Sequence, residues 1–552
     1  MKSLSVLKKK PAGCKIKTLR FYRKAAIMRK IIRLTVRLFA CVLALATFAP
    51  LQSCTPGEKK PLPRVNIAPP ALKEQAAPND KGEVINYSIN RTISSCMVVQ
   101  RNAYFNVFGK ADRPGGYIYG EFMGEKRYAK IGKDGSFNIQ FSSHEATSEP
   151  QTLKVCPKNG EAAEYTDILV GDVWMVSGQS NAELSYLLAR QKLPEYDKDI
   201  SGDDFIRVFS QAAADVLYAI ENNGLDATVP GEDVLNEDNC WKKATLENVS
   251  PFSAIGYYFG KELSKYTDVP IGLVMSAAGG AAIQELMPAE TAEKIGYTAG
   301  AMVPVSGYYN TLMHPFTHNK ITGMLFYQGE SESGGEQFNF YAEHLAKTVE
   351  AYREIWGLEF PFINVQLSSH GIEGSSFWPN LPRLRAAQYD ASQIIPNSYI
   401  VTSMDQGYRK GDPEFAHPLY KFQIGYRAAR VAAFVSYGIG EEEHMLTPEL
   451  ESVTFNDDNT IVIKFKNVGD GITLAEGDEI KGLYPYYSYR GKMKCTVEIL
   501  DAFTVKVTPT EQAYSIGYGL MHEAFQDAAN ITGSDGLPMP AFEIKNDKYT
   551  GY

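Results

Sequence analysis

The stretch Gly171-Asp-Val-Trp-Met-Val-Ser-Gly-Gln-Ser-Asn181 decides how this chain folds. Its apolar run, Val173 to Val176, reads as a short buried strand that stops at Ser177-Gly178. A helix-like Glu183-Leu-Ser-Tyr-Leu-Leu188 follows. Ser180 therefore falls on a strand-to-helix turn, with its hydroxyl at the carboxyl edge of a sheet, where open α/β sheets bind ligands. The helix start behind it offers backbone N–H groups to a developing oxyanion. That is a suitable address for an acyl-transfer nucleophile. It also suits an N-cap or turn residue, the commoner role of a Ser-Asn pair after a strand. Partners elsewhere in the chain decide between the two.

Outward from this turn, strands alternate with helices over residues 169–440. Strand-like runs cover 269–276, 321–327, 362–367 and 399–402, and helical patterns cover 252–266, 340–356, 381–391 and 419–435. Repeated βα units predict a mostly parallel sheet with helices on both faces, a three-layer α/β domain. Residues 195–240 are acidic, rich in Asn and Asp and weakly periodic, and read as an insertion at the sheet's edge. Residues 86–168 carry short alternating runs between turn signals, such as Tyr104–Phe108, Gly116–Gly120 and Ser136–Phe141. These predict a small β-sandwich. Residues 441–552 return to short strands (Thr460–Phe465, Thr504–Thr508) and predict a second β-domain.

The first 53 residues differ in kind: they hold thirteen Lys or Arg and no acid, and end in an apolar segment from Leu38 to Leu51. A basic region followed by an apolar one too short to span a membrane is the pattern of an export signal. Met28 is a more natural start than Met1, which makes 28–53 the expected signal. Leu51-Gln-Ser-Cys54 resembles a bacterial lipoprotein box, which implies cleavage before Cys54, a lipid on that cysteine and a location in the cell envelope. An ordinary secretory signal with an incidental cysteine is the alternative. Residues 54–85, rich in Pro, Lys and Ala, predict an extended tether. The whole chain carries −8, and losing the thirteen positive charges leaves about −21. With no basic stripe remaining, nucleic acid is excluded as a partner class. Cys96, Cys156, Cys240 and Cys495 show no CxxC spacing, which argues against zinc. Cys96 and Cys156 flank one β-like region and are candidates for a disulfide.

A serine nucleophile needs a base, a group that orients the base, and oxyanion donors. Eight histidines can be searched one by one. His417 lies in Asp405-Gln-Gly-Tyr-Arg-Lys-Gly-Asp-Pro-Glu-Phe-Ala-His-Pro418, a loop after a strand and before a helix, the same edge as Ser180. Glu414, three residues earlier, can turn back onto its ring. His314, in Leu312-Met-His-Pro315, has apolar flanks that favour a structural or substrate-lining role. Two further strand ends join them. Ile271–Gly280 runs into Gly279-Gly280, which would present N–H groups or simply make a tight turn. Phe326-Tyr-Gln-Gly-Glu-Ser331 ends at Gln328, whose amide is a candidate donor, with Glu330 a second carboxylate or a helix-start acid. Each segment alone is ambiguous. Four such edges on one sheet are not.

Gly178-Gln-Ser-Asn181, Ser276-Ala-Ala-Gly-Gly280, Tyr327-Gln-Gly-Glu-Ser331 and Glu414-Phe-Ala-His-Pro418 resemble the blocks of SGNH hydrolases, and more narrowly of the sialate O-acetylesterase family of carbohydrate esterases. Met97–Arg101, Phe252–Phe259, Tyr309–Pro315 and Gly536-Leu-Pro538 are similar to further landmarks, so the likeness runs from about Ser95 to Lys545. The resemblance implies an SGNH-type hydrolase flanked by β-sandwich-like domains, acting on O-acetylated glycans without metal or organic cofactor. It implies Ser180 as nucleophile, His417 as base and Glu414 as orienting acid. The oxyanion would be held by the N–H groups of Ser180 and Gly279 or Gly280 and by Gln328, and Asn181, Asn310 and His314 would line the substrate. The chain departs from the family at Ala182, usually Met, and at Glu414, commonly Asp, which leaves Asp412 and Glu330 open as orienting acids. Ala277-Ala278 and Ala281-Ala282 replace Trp and Thr around the glycine pair, which bears on substrate choice. The alternatives are an acetylesterase for plant hemicellulose such as xylan, or a non-catalytic glycan-binding lipoprotein on the same fold. A lipase or protease fits less well, since Ser180 has no Gly-x-Ser-x-Gly elbow.

Overall fold

The structure, a computed structural model, describes residues 68–82, 85–192, 203–369, 379–407, 417–488, 491–520 and 529–549. Cys54, the leader, Asp412 and Glu414 lie outside the described residues.

The chain is mixed α/β, built around a large mixed sheet. Its central path runs Lys242–Ala244, Asp203–Ser210, Ile271–Ala277, Ala163–Gly178, Gly323–Tyr327, Phe362–Gln366, Ser398–Thr402. Neighbours pair in parallel, except Lys242–Ala244, which closes the edge antiparallel to Asp203–Ser210. The inner strands are buried along their whole length, the near-continuous apolar reading required of strands covered on both faces. Helices Ala254–Leu263, Tyr341–Trp356, Leu381–Ile394 and Lys421–Tyr437 alternate with them, each within a few residues of its predicted span.

The strand leading to Ser180 is longer than its apolar run suggested. It spans the 16 residues Ala163–Gly178. Its first half pairs with Thr147–Pro157 antiparallel and with Val98–Gln100 in parallel, and its second half with Ile271–Ala277 and Gly323–Tyr327. The strands before it thus share one hydrophobic core with the central sheet, from Val107 and Ile139 through Val176 to Leu325. A three-stranded sheet (Tyr87–Ile89, Phe105–Ala111, Ser136–Phe141) lies beside that system, its alternating burial matching the period-2 reading of 136–141. After Glu449 come two four-stranded antiparallel sheets and one two-stranded one, around a separate apolar cluster that includes Ile461, Ile463, Val505 and Phe542.

Two expectations change. The insertion expected over 195–240 supplies one strand of the sheet, and Lys242–Ala244 just beyond it closes the edge. Asp203–Ser210 pairs with Ile271–Met275 and buries Ile206, Val208 and Phe209. Two aspartates and an arginine mask it, and that Arg207 is itself buried against Asp167 at 3.4 Å. The second half of the tether is also strapped down. Residues 68–82 have no regular structure, yet Arg127 Nη1 donates to the Lys73 carbonyl (2.6 Å) and the Tyr119 hydroxyl to Asp80 (2.9 Å). Cys96, Cys156, Cys240 and Cys495 are free thiols. Among the described residues no helix is long and apolar enough to cross a membrane.

Candidate active site

Parallel register sets Gly178 level with Ala277 on one side and Tyr327 on the other. The segments after these three strands therefore meet at one carboxyl edge. Gly178 takes φ +133°, and a Cβ there would lie 2.1 Å from the Tyr327 carbonyl oxygen, so only glycine fits. The chain then turns: the Gln179 N–H donates to that same carbonyl (2.9 Å). Helix begins at Ser180 and lasts a single turn, to Glu183. Gln179 is its N-cap, and makes no side-chain cap bond.

Ser180 is thus not spent as a cap. Its Oγ lies 2.9 Å from Nε2 of His417, both side chains being partly exposed. A hydroxyl on an imidazole nitrogen is the geometry of nucleophile and general base. A one-turn helix has little macrodipole, so an oxyanion formed at this edge would depend on individual N–H groups. Among the described residues, no hydrogen bond occupies the N–H of Ser180 or Gly280.

The other expected donors are committed elsewhere. Gly279 does sit beside the serine, since a Cβ on it would come 3.8 Å from Ser180 Cβ. Its N–H, however, donates to Glu183 Oε2 at 2.7 Å. Burial raises the Glu183 carboxyl above its ordinary range, opposed by N–H donors of Gly279 and Ala213. Gln328 is fully buried and its amide is used up: Nε2 donates to Glu332 (2.6 Å), the Ala281 carbonyl (3.1 Å) and Gln179 Oε1 (3.2 Å), and Oε1 accepts from Tyr341 (3.0 Å). Gln328 braces the turn and is not an oxyanion donor in this arrangement. Glu332 in turn accepts from the Ile283 N–H (2.6 Å), and burial pushes its carboxyl up to about 8.

Glu330 does not touch His417. One oxygen accepts from the Asn181 amide and the other has no partner among the described residues. Asn181 is buried and held from its other end by Lys421 Nζ, 2.5 Å from Oδ1, which removes it from the substrate surface. Asn310 is buried too, its amide donating to the Ala227 carbonyl (2.9 Å). His314 Nδ1 lies 2.9 Å from the Gly231 carbonyl, so both residues pin the 227–231 segment. Glu183, Gln179, Glu332 and Lys421 were not singled out from sequence. Glu183 had a legible signal, three residues past the serine on one helical face. Among the described residues, the group able to gather a metal ion is Glu441, Glu443 and His444, on a different helix and mostly exposed. His444 Nδ1 already pairs with Asp535 (2.8 Å).

Fold and site together define a class: α/β proteins with a serine–histidine pair at the carboxyl edge of a parallel sheet. Residues 170–431, which contain that pair, match the family described as carbohydrate esterase, sialic acid-specific acetylesterase, the family whose blocks the sequence resembles. Sialate O-acetylesterase of Homo sapiens is 27% identical over 299 residues, covering 49% of this chain and 54% of that protein. Its Mus musculus counterpart is 26% identical over 325 residues, covering 49% and 58%. The chain thus spans about half the length of the curated relatives it matches. Among solved structures, a carbohydrate acetylesterase from Xanthomonas citri aligns with TM-score 0.70 and 26% identity, covering 84% of this chain and all of that one.

Proposed function

We propose that this protein is a carbohydrate O-acetylesterase that uses Ser180 as nucleophile and His417 as base. The observation that carries the reading is the 2.9 Å Ser180–His417 contact within the segment that matches the acetylesterase family. His417 takes the hydroxyl proton as Oγ attacks the acetyl carbonyl. The tetrahedral oxyanion is held by the N–H groups of Ser180 and Gly280, each worth about 3 kcal/mol of barrier. Collapse returns the proton from His417 to the departing sugar oxygen. Water, activated by the same imidazole, then releases acetate. The Gly279 N–H adds to the hole only when the Glu183 carboxyl leaves it. Glu414 is the acid we assign to orienting His417, with Asp412 the alternative.

The finer architecture belongs to the same proposal: an SGNH-type three-layer domain over 169–440, with β-sandwich-like domains over 86–168 and 441–552. The basic, then apolar leader ending at Leu51-Gln-Ser-Cys54 supports export and lipidation at Cys54, which would hold the enzyme in the cell envelope. The substrate is an O-acetylated glycan. The names of the relatives favour sialate, and xylan is the competing source of acetyl groups.

Ser180→Ala should abolish acetate release from p-nitrophenyl acetate and from O-acetylated sialosides. A variant that keeps the wild-type rate removes Ser180 from the mechanism. Glycan binding by a wild type that releases no acetate would favour the non-catalytic reading. Release from acetylated xylan but not from sialosides would move the substrate.

A further inference from the structure

Lys421 is a lysine with a fully buried side chain, a rare placement for an ammonium. It is the first residue of helix Lys421–Tyr437, four residues after His417. Its Nζ lies 2.5 Å from Asn181 Oδ1, next in sequence to Ser180, and 5.0 Å from the centroid of the Tyr327 ring. The Asn181 amide donates to Glu330, just beyond the Gln328-Gly329 turn. One cation thus touches the nucleophile turn and the end of the neighbouring strand, and it roots both in the helix that follows the base loop. Burying an ammonium costs several kcal/mol unless it is paired and hydrogen-bonded. A fold that needed only to fill this space would do so with an apolar side chain. The charged and titratable groups facing Lys421 are Glu330 and Tyr327, with Glu332 behind Glu330. Burial pulls the ammonium down to about 7 and pushes Glu330 up, and each opposes the other's shift.

We infer that Lys421 is a positioning residue for the reaction: through Asn181 it ties the Ser180 turn to the helix behind His417 and so sets the alignment of nucleophile and base. The inference rests on Ser180 and His417 being the catalytic pair. Lys421 itself touches neither the substrate nor the reacting atoms. Its contribution should therefore fall on turnover and on serine reactivity, and not on substrate affinity.

The test uses the full protein with Lys421→Met, which keeps length and loses the charge, and Lys421→Arg, which keeps the charge. Three quantities are read: kcat and KM on p-nitrophenyl acetate, the rate of Ser180 labelling by a fluorophosphonate, and the melting temperature. Lys421→Met should lower kcat and labelling together by about 30- to 100-fold, the loss expected for a misplacement near 1 Å, with KM within about twofold. Lys421→Arg should recover part of both. If Lys421→Met fails to fold, Glu330→Gln reads the same clamp from its far end and should lower kcat and labelling about tenfold, with the pH–rate profile displaced. A folded Lys421→Met with wild-type kcat and labelling overturns the inference, as does a folded Glu330→Gln with unchanged rates and profile. A wild type that neither reacts with the fluorophosphonate nor releases acetate overturns the esterase reading instead, and this inference with it.

Discussion

Replacing Gly178 with alanine tests whether backbone contact between two strands places Ser180, the proposed nucleophile. A Cβ at 178 would lie 2.1 Å from the Tyr327 carbonyl oxygen, and real Cβ contacts essentially never fall under 3.0 Å. The strands must part by about 0.9 Å, and the φ of +133° is one that alanine rarely adopts. Backbone strain of about 1–3 kcal/mol and overpacking of about 1–3 kcal/mol together destabilise by roughly 2–6 kcal/mol. In a domain of this size that lowers the melting temperature by on the order of 10 °C. The displacement also reaches the site, because the Gln179 N–H is bonded to the same carbonyl and Ser180 is the next residue. A shift near 1 Å costs on the order of 100-fold in rate, about 2.7 kcal/mol of barrier. Thermal unfolding by circular dichroism and turnover of p-nitrophenyl acetate, per folded molecule, read the two effects separately. Gly334→Ala is the control, with open space around its Cβ and no unusual φ. A Gly178→Ala protein that melts within 2 °C of wild type and keeps more than half its rate would refute the reasoning.

Further outcomes follow from the same geometry. His417→Ala should slow acetate release by about 10²- to 10⁴-fold, with partial recovery in added imidazole, and an unaffected rate would place the base elsewhere. Glu183→Ala releases the Gly279 N–H into the oxyanion region and should raise kcat on the aryl ester by up to about tenfold; a tenfold fall would make the carboxyl part of the machinery. Burial pushes the Glu332 carboxyl up to about 8 in the folded chain, against 4.5 for an ordinary glutamate, so between those pH values the unfolded chain has lost a proton that the native state keeps. Stability linked to this group is therefore highest below about pH 4.5 and declines as pH rises towards 8. The melting temperature of Glu332→Gln relative to wild type should rise from pH 5 to pH 8, and a pH-independent gap would contradict the assigned burial effect.

The sheet was legible because its strands are apolar runs closed by glycine or a polar turn, as at Val173–Gly178 and Gly323–Gly329. The strand Asp203–Ser210 was not, because its two aspartates sit at its start and its arginine is buried by pairing across the chain with Asp167. Such a contact is invisible to periodicity. At the site, Ser180 and His417 were readable from their addresses on the sheet edge. The donors were less so: Gln328 has the right residue type at the right strand end, but burial hands its amide to Glu332, Ala281 and Gln179. Lys421 carries no mark in the sequence, and only tertiary packing makes it a buried cation.

The strand Ala163–Gly178 carries a consequence for how this protein can be cut. Its first half pairs with Thr147–Pro157 and its middle, Leu169–Gly171, with Val98–Gln100, and its last residue precedes the turn to Ser180. A fragment beginning at residue 170 would sever that ladder, leave Val170 and Gly171 without their partners Val99 and Gln100, and put Ser180 near a frayed end. The segment bearing the family likeness is therefore not a separable module. Swapping or trimming the preceding strands amounts to editing the foundation of the Ser180 turn.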